Sequence, residues 1–297
     1  MSFDLTAYLQ GRRVLVDAAL NQYLPTEDQE PDKIHASIRY SIFCGGKRLR
    51  PILALAAADA LGADFAHVMP LACAVECIHT FSLIHDDLPA IDDDDLRRGA
   101  PTNHVVYGEA MAILAGDALL AFAFELIAEC HAFCPADRVL EALVMVAQAS
   151  GTRGMVGGQV SDIECEGRAD LDERTVASIH ERKTGALLIA SLVAGARLCG
   201  ASKAQENALR RYGEKIGLAF QITDDILDLE GDAEKLGKPL GSDLKQDKAT
   251  YPKILGIEES RTLASQAAED AIAALSIFDE KADPLRALAR YMVERDN

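Results

Sequence analysis

Apolar residues recur three and four positions apart along most of this chain, the spacing that places them on one face of a helix. Leu5, Leu9, Val16 and Leu20 are an early example. No stretch shows the alternation of a half-buried strand, and no repeat or linker divides the chain. The pattern predicts one all-α domain over residues 1–297, with helices over 5–23, 33–43, 52–61, 68–84, 109–133, 138–150, 174–199, 205–230, 260–274 and 285–294.

The predicted helix over residues 68–84 is apolar almost all the way round, since Glu76 is its only acidic or basic residue apart from histidine. A helix of this kind lies at the centre of a bundle. It runs directly into Asp86, and Pro89 interrupts it before Asp92. Asp86 and Asp92 can therefore converge on one site from either side of the break.

Six aspartates are gathered here, Asp86, Asp87 and Asp92 to Asp95, followed by Arg97 and Arg98. Two unit charges ~4 Å apart repel by about 4 kcal/mol at an effective dielectric near 20, so a fold that gathers several carboxylates usually supplies a cation. A divalent metal and the two arginines together point to an anion held between them. A lone Asp92–Asp95 run is more often a solvated turn that caps a helix.

A second acidic group lies far along the chain, in the predicted helix over 205–230. Gln221, Asp224 and Asp228 are spaced to share one face of that helix, and Asp225 lies one position round. Two acidic groups in apolar helical surroundings are better explained by a shared metal and phosphate site than by two separate surface features. The candidate metal ligands are Asp86, Asp87, Asp92, Asp224, Asp225 and Asp228.

Basic residues are concentrated in GGKRLRP, residues 45–51. Lys47 and Arg50 are three apart and share a face if helical, and Arg48 adds a third positive charge. The two glycines let the backbone approach a ligand closely. The alternative is a glycine C-cap followed by a basic helix start, but cations at a helix N-terminus oppose the macrodipole. The pattern favours an anion site.

Other polar residues are candidates for supporting roles. Gln159 and Asp162 follow a glycine-rich stretch, and ordinary surface polarity explains them equally well. Lys183 and Thr184 precede an apolar helix. Two such residues alone are weak evidence for a binding site.

The segment 232–250 is a loop rich in glycine, proline and charge that carries Lys238 and Lys248. Loops of about this length without structure of their own are usually functional lids or disordered. Because it follows Asp224 and Asp228 directly, we interpret it as a lid.

The net charge of −17 argues against broad attraction to nucleic acid or an anionic membrane, so an anionic substrate needs a local basic pocket. No uninterrupted apolar run reaches ~18 residues, and the N-terminus lacks the basic start of a secretory signal. Seven cysteines then indicate reduced thiols in a cytoplasmic protein. The pairs Cys73–Cys77 and Cys130–Cys134 could share zinc, although buried free thiols are the commoner outcome in such helices.

Seven motifs follow one another along the chain: GGKRLRP, DDLPAIDDDDLRRG, GGQVSD, HERKTGAL, FQITDDILD, LGKP and DKATYP. In this order and spacing they resemble the trans-isoprenyl diphosphate synthases over nearly the whole chain, and the bacterial farnesyl diphosphate synthases in particular. The resemblance implies the isoprenoid synthase fold, a bundle of long helices around a central cavity, and a homodimer.

The resemblance also implies roles for the matching residues. Three Mg²⁺ ions would be held by the aspartates of the two acidic motifs, chiefly Asp86, Asp92 and Asp224. The diphosphate of the allylic substrate would be gripped by the metals with Arg97, Lys183 and Lys238. The diphosphate of isopentenyl diphosphate would be held by Lys47, Arg50, His79 and Arg98. Thr184 and Gln221 would line the cavity near the reacting carbons, and Lys248 would belong to the lid.

The implied reaction condenses isopentenyl diphosphate with dimethylallyl and then geranyl diphosphate, by metal-assisted ionisation, condensation and proton loss, to give farnesyl diphosphate. In the resembling family, an aromatic residue at Phe81 goes with a fifteen-carbon product when Pro89 and Ala90 extend the first acidic motif. The nearest alternative is a geranylgeranyl or geranyl diphosphate synthase. A non-catalytic subunit of a heteromeric prenyl synthase is less expected, because both acidic motifs are intact.

Two other kinds of protein share part of this chemistry. A terpene cyclase uses aspartate-bound metal but has no need of GGKRLRP for a second diphosphate. A carboxylate-bridged di-iron bundle needs Glu-x-x-His pairs on facing helices, and Glu76 with His79 is the only such pair near the acidic motif.

Overall fold

The structure is a computed structural model that describes residues 3–168, 172–230 and 250–294. Almost all of the described chain is helical, as predicted. Within these ranges the α-helices are α1 (Leu5–Tyr23), α2 (Asp32–Phe43), α3 (Leu49–Ala60), α4 (Met69–Asp86), α5 (Asn103–Tyr107), α6 (Glu109–Glu129), α7 (Ala136–Ser150), α8 (Met155–Cys165), α9 (Glu173–His180), α10 (Ala186–Leu198), α11 (Lys203–Glu230), α12 (Tyr251–Leu255), α13 (Ile257–Ala274) and α14 (Asp283–Glu294).

Helix α4 forms the centre of the bundle, as its apolar sequence predicts. Every residue from Pro70 to Ile78 is buried, and the helix packs against α1, α2, α3, α6 and α10. A second apolar cluster joins α3 and α10 to α11 and α14, around Tyr212 and Leu285. The two helices that carry the acidic motifs, α4 and α11, are therefore linked through α3 and α10.

The prediction that the chain has no strand is wrong at one small hairpin. Leu96–Arg97 (β1) pairs antiparallel with Ala100–Pro101 (β2), with Arg97 opposite Ala100. Arg98 and Gly99 form the turn with φ of +54° and +78°. Positive φ at both central residues matches the twist of a two-residue hairpin. Strands of two residues are too short to show alternation in the sequence.

The predicted helix over 174–199 is divided by a π-helical turn at Glu181–Gly185. Helix α8 passes against this turn, because a Cβ placed on Gly158 would lie 2.2 Å from the backbone nitrogen of Lys183. Only glycine allows that approach. π-helical turns occur frequently at functional sites, and this one carries Lys183 and Thr184.

Two helical stretches, Phe65–Asp86 and Glu109–Ala132, are long and apolar enough on average to cross a membrane. The sequence prediction missed both because it looked only for an uninterrupted apolar run. Core helices of soluble proteins meet the same criteria, and the first stretch is mostly buried within the bundle. The finding is weak evidence for insertion.

All seven cysteines carry free thiols. In the described part of the chain no three histidine, cysteine, aspartate or glutamate side chains are grouped so that they could hold a metal. The pairs Cys73–Cys77 and Cys130–Cys134 therefore form no zinc site there. Burial raises the pKa of Cys130 to about 12, which keeps that thiol protonated.

Candidate active site

The first acidic motif begins at the last residue of α4. Asp86 ends the helix, and the chain turns so that the backbone N–H of Asp92 donates to the carbonyl of Asp86 over 2.8 Å. Asp93, with φ of +52°, occupies a left-handed conformation that aspartate tolerates better than most residues. The turn brings Asp92 back to the end of α4, as the break at Pro89 predicted.

Asp86 carries charge that the surrounding residues do not fully compensate. Burial raises its pKa to about 6, and Asp92 and Asp87 also raise it, against the lowering effect of Lys183 and Arg97. The carboxylate is therefore costly to ionise in the absence of another cation. This is the electrostatic situation that a bound divalent metal would relieve.

Asp87 and Arg97 hold one another. Asp87 is buried, and its two carboxylate oxygens accept hydrogen bonds from Arg97 Nε over 2.7 and 2.9 Å. Arg97 Nη2 lies 2.5 Å from the same carboxylate and 3.6 Å from that of Asp94. In this arrangement Asp87 orients Arg97. If Asp87 supports a metal, as predicted, it would do so indirectly, because Arg97 occupies its oxygens.

The second acidic motif lies near the C-terminal end of α11, where its aspartates differ in surroundings. Asp224 is partly exposed, whereas Asp225 and Asp228 are buried. Asp225 accepts from Gln221 Nε2 over 2.9 Å and from the backbone N–H of Tyr251 over 3.0 Å. Asp225 thus anchors the start of α12, and Asp224 is the more accessible of the two.

The π-helical turn interacts with residues of both acidic motifs. Lys183 Nζ donates to Asp162 over 2.6 Å, and Asp86 and Asp92 lie close enough to raise the pKa of Lys183 against burial. The next residue, Thr184, donates from its hydroxyl to Gln221 Oε1 over 3.1 Å. Of these consecutive residues, Lys183 therefore interacts electrostatically with the α4 motif, and Thr184 contacts the α11 motif.

The predicted anion-binding residues Arg50, His79 and Arg98 also converge. Burial, with Arg50 and Arg98 nearby, holds the pKa of His79 well below its usual range, so the imidazole is neutral near pH 7. Burial lowers the pKa of Arg50, while the carboxylates of Glu76 and Asp224 raise it. Arg50 therefore lies within electrostatic reach of the second acidic motif.

The hairpin explains how Arg98 reaches this group. Its Nη1 donates to the carbonyl of Gly45 over 2.6 Å, and a Cβ on Gly46 would lie 2.6 Å from the same nitrogen. Gly46 therefore makes room for the guanidinium, and Gly45 supplies the carbonyl that accepts its hydrogen bond. Lys47 is exposed and lines a cavity of about 330 Å³ together with Arg13 and Phe220.

Phe81 is buried on α4, on the side that faces α6. Its ring meets the ring of His85 edge-on at 5.0 Å, and His85 Nε2 lies 3.1 Å from the carbonyl of Ile113 on α6. At 3.6 residues per turn, Phe81 lies ~140° round the helix from Asp86. It can stop a substrate tail only where that tail passes between α4 and α6.

Lys238, Lys248 and most of the predicted lid lie outside the described residues. Asp162, considered equally as surface polarity, is instead the ion-pair partner of Lys183. Gln159 is on the same helix, and its buried Oε1 has no hydrogen-bond partner among the described residues. Sequence reasoning missed Tyr251, although Pro252 directly after it is a typical helix-start signal.

The residues at the end of α4 and on α11 fit Mg²⁺. Magnesium prefers oxygen ligands and is usually bound by one or two carboxylates together with substrate phosphates and water. Such a site does not require three carboxylates already grouped in the protein. Asp86, Asp92 and Asp224 stay the predicted ligands.

A sequence profile described as "Polyprenyl synthetase" matches residues 31–285. The chain belongs to the polyprenyl synthetase family. It is 50% identical to the geranylgeranyl diphosphate synthase of Cyanophora paradoxa over all of this chain and 98% of that protein. It is also 50% identical to a dimethylallyltranstransferase of Fischerella ambigua, over 99% of this chain and 84% of that protein. A crystal structure of an FPP/GFPP synthase from Zymomonas mobilis matches with a TM-score of 0.87 and 38% identity, over 97% and 98% of the two chains.

These matches establish a head-to-tail trans-prenyltransferase with the all-α isoprenoid synthase fold. Members of the polyprenyl synthetase family use isopentenyl diphosphate and allylic diphosphates, generally with Mg²⁺. The prediction of a farnesyl diphosphate synthase is not confirmed, since the curated relatives above fit the geranylgeranyl alternative better.

Proposed function

We propose that this prenyltransferase extends an allylic diphosphate with isopentenyl diphosphate in a Mg²⁺-dependent reaction. The observation that supports the proposal is the π-helical turn, where the charges of Asp86 and Asp92 act on Lys183 and the Thr184 hydroxyl donates to Gln221. One acidic motif alone would bind a metal. Two motifs that interact with neighbouring residues of one turn, with Arg50 within electrostatic reach of Asp224, suit a metal-bound diphosphate and a second diphosphate nearby.

Each group of residues then has a distinct part in the reaction. Mg²⁺, of which we expect three ions, would neutralise the allylic diphosphate as its C–O bond breaks. Arg97 and Lys183 would donate hydrogen bonds to the departing diphosphate, and Asp87 and Asp162 orient them. Lys238 would add a donor from outside the described residues.

The second substrate would bind at the basic group. Arg50 and Arg98, with Lys47, would hold the diphosphate of isopentenyl diphosphate, and neutral His79 would donate a hydrogen bond. The double bond of that substrate attacks the allylic cation, and a proton is lost to the released diphosphate. Water must be excluded while the cation exists, which is the part we assign to the lid and Lys248.

We propose geranylgeranyl diphosphate as the principal product, since relatives about half identical over the whole chain carry that name. Farnesyl diphosphate is the second candidate, because Phe81 is a bulky buried residue below the first acidic motif. Incubation with isopentenyl diphosphate and each allylic diphosphate, with and without Mg²⁺, followed by chromatography, separates the two. No condensation with any allylic substrate would refute the proposed function.

The metal assignment is tested by Asp86→Ala and Asp224→Ala, which should each reduce turnover by several orders of magnitude. Asp270→Ala is the matched control, because Asp270 forms a surface ion pair with Lys215 on α11. It should leave turnover unchanged. Wild-type rates in Asp86→Ala or Asp224→Ala would remove that residue from the metal site.

We also propose that two copies associate through the face formed by α5 to α8. This face exposes the large apolar side chains of Val105, Val106, Ile113, Leu114, Leu140, Val144, Val156, Val160 and Ile163. Apolar patches of this kind mark protein interfaces. Leu114→Asp should convert a dimer to a monomer in sedimentation analysis, and a wild-type monomer would contradict the proposal.

A cytoplasmic location stays a prediction, and plant relatives have names that place them in chloroplasts.

A further inference from the structure

Arg48, the central basic residue of GGKRLRP, points into the protein. It is 3% exposed and adopts φ of +53° immediately before α3. A left-handed conformation is unfavourable for a residue with a Cβ, so surrounding contacts must hold it in place. Arg48 is therefore not available to a substrate, whereas its neighbour Lys47 is exposed.

Three elements hold the Arg48 guanidinium. Its Nε donates to Asp17 on α1 over 2.7 Å, and its Nη1 donates to Glu76 on α4 over 2.7 Å. Its Nη2 donates to the carbonyl of Ile42, near the end of α2, over 2.6 Å. The side chain thus connects α1, α2 and α4 at the point where α3 begins.

The carboxylate of Glu76 also lies close to the basic group formed by Arg50, His79 and Arg98. Glu76 is 2% exposed and lies one turn before His79 on α4. Its negative charge also acts on Arg50 and Arg98 and favours their charged forms. Its second oxygen has no hydrogen-bond partner among the described residues. One carboxylate therefore faces the residues that would hold isopentenyl diphosphate.

We propose that Arg48, with Glu76 and Asp17, is a positioning device for the isopentenyl diphosphate site. It fixes the start of α3 against α4, and with it the flanking residues Lys47 and Arg50. None of the three residues touches substrate. This inference rests on the proposed function, because it assumes that the basic group binds isopentenyl diphosphate.

A positioning role and a purely electrostatic role predict opposite results for Glu76→Gln. The variant keeps the shape and one acceptor oxygen but removes a negative charge beside Arg50 and Arg98. If Glu76 acted only through its charge, isopentenyl diphosphate would bind more tightly. If it holds Arg48 in place, the KM for isopentenyl diphosphate should rise about tenfold, which corresponds to ~1.4 kcal/mol.

Arg48→Lys provides the second test, because it keeps the charge and cannot make the three contacts together. It should raise the KM for isopentenyl diphosphate about tenfold and change that for the allylic diphosphate less than twofold. Asp17→Asn should act in the same direction. Asp17 is partly exposed, so this variant gives a result even if Glu76→Gln fails to fold.

Glu206→Gln is the matched control, since Glu206 is an equally buried carboxylate paired with an arginine, Arg197, away from the site. It should change neither KM. Calorimetric titration of the metal-free protein with isopentenyl diphosphate gives a readout that does not need turnover. Equal changes in both KM values, unchanged values, or tighter binding in Glu76→Gln would each overturn the inference. A wild-type protein that fails to condense the substrates would instead refute the proposed function.

Discussion

The residue that most sharply separates the two candidate products is Phe81. Its ring is 7% exposed and packs against His85, which in turn contacts α6. Five residues at 1.5 Å each place it ~7.5 Å along α4 from Asp86. A prenyl tail that descends between α4 and α6 from a diphosphate at Asp86 would therefore meet this ring.

Replacing Phe81 with alanine should lengthen the product by at least one five-carbon unit, because the space left by the ring is apolar and can hold more of the tail. The empty cavity should cost about 3–5 kcal/mol in the free energy of unfolding. For a chain of this size, that cost corresponds to a fall in melting temperature of roughly 6–10 °C. A prenyl tail that fills the cavity would restore part of the lost stability.

The assay sizes the products from isopentenyl and dimethylallyl diphosphates and follows the melting temperature of each variant. Phe278→Ala is the matched control, because Phe278 is 8% exposed but belongs to the other apolar cluster. It should lower the melting temperature similarly without changing the product. An unchanged product in Phe81→Ala would refute the reasoning and show that the tail takes another path.

Three further outcomes are expected. Gly158→Ala should reduce kcat at least tenfold, measured with saturating substrates, since the added Cβ would displace the Lys183 backbone. Asp162→Asn should raise the KM for the allylic diphosphate more than that for isopentenyl diphosphate, because it frees Lys183 from its partner; equal changes would contradict this. In metal-free protein, the raised pKa of Asp86 contributes stability below its ordinary pKa of 3.8, and up to about 3 kcal/mol of it should be lost as the pH rises through about 6. Chemical denaturation of wild type and Asp86→Asn across that range measures this difference, which should be absent if Asp86 titrates normally.

The long helices were predictable because each depends on a long periodic pattern, and their ends shift by only a few residues. The shorter helices α5, α8 and α12 were not predicted. The hairpin and the π-helical turn were not. The strands Leu96–Arg97 and Ala100–Pro101 are held by a two-residue turn rather than by any apolar pattern. The π-helical turn at Glu181–Gly185 sits between two helical segments whose sequence reads as one continuous helix.

Spacing showed which site residues share a helix face but not what else reaches them. Asp87 and Asp225 belong to the acidic motifs, yet Arg97 and the backbone of Tyr251 occupy their oxygens. Those partners come from a hairpin and a helix start that no periodicity connects to α4 or α11. The chemical character of each motif was therefore predictable from the sequence. Which residue of a motif is accessible and which is already paired could be seen only from the tertiary contacts.

The same limit applies to the basic group, where charge alone made Arg48 look like its neighbours. Lys47 is exposed and Arg48 is almost fully buried, although they are adjacent. A buried guanidinium is cut off from water, so it is stable only when charged partners compensate for the lost hydration. Asp17 and Glu76 are those partners, and each lies at least 28 residues away in sequence. We infer that this second, internal set of charges keeps the residues of the proposed anion site in place.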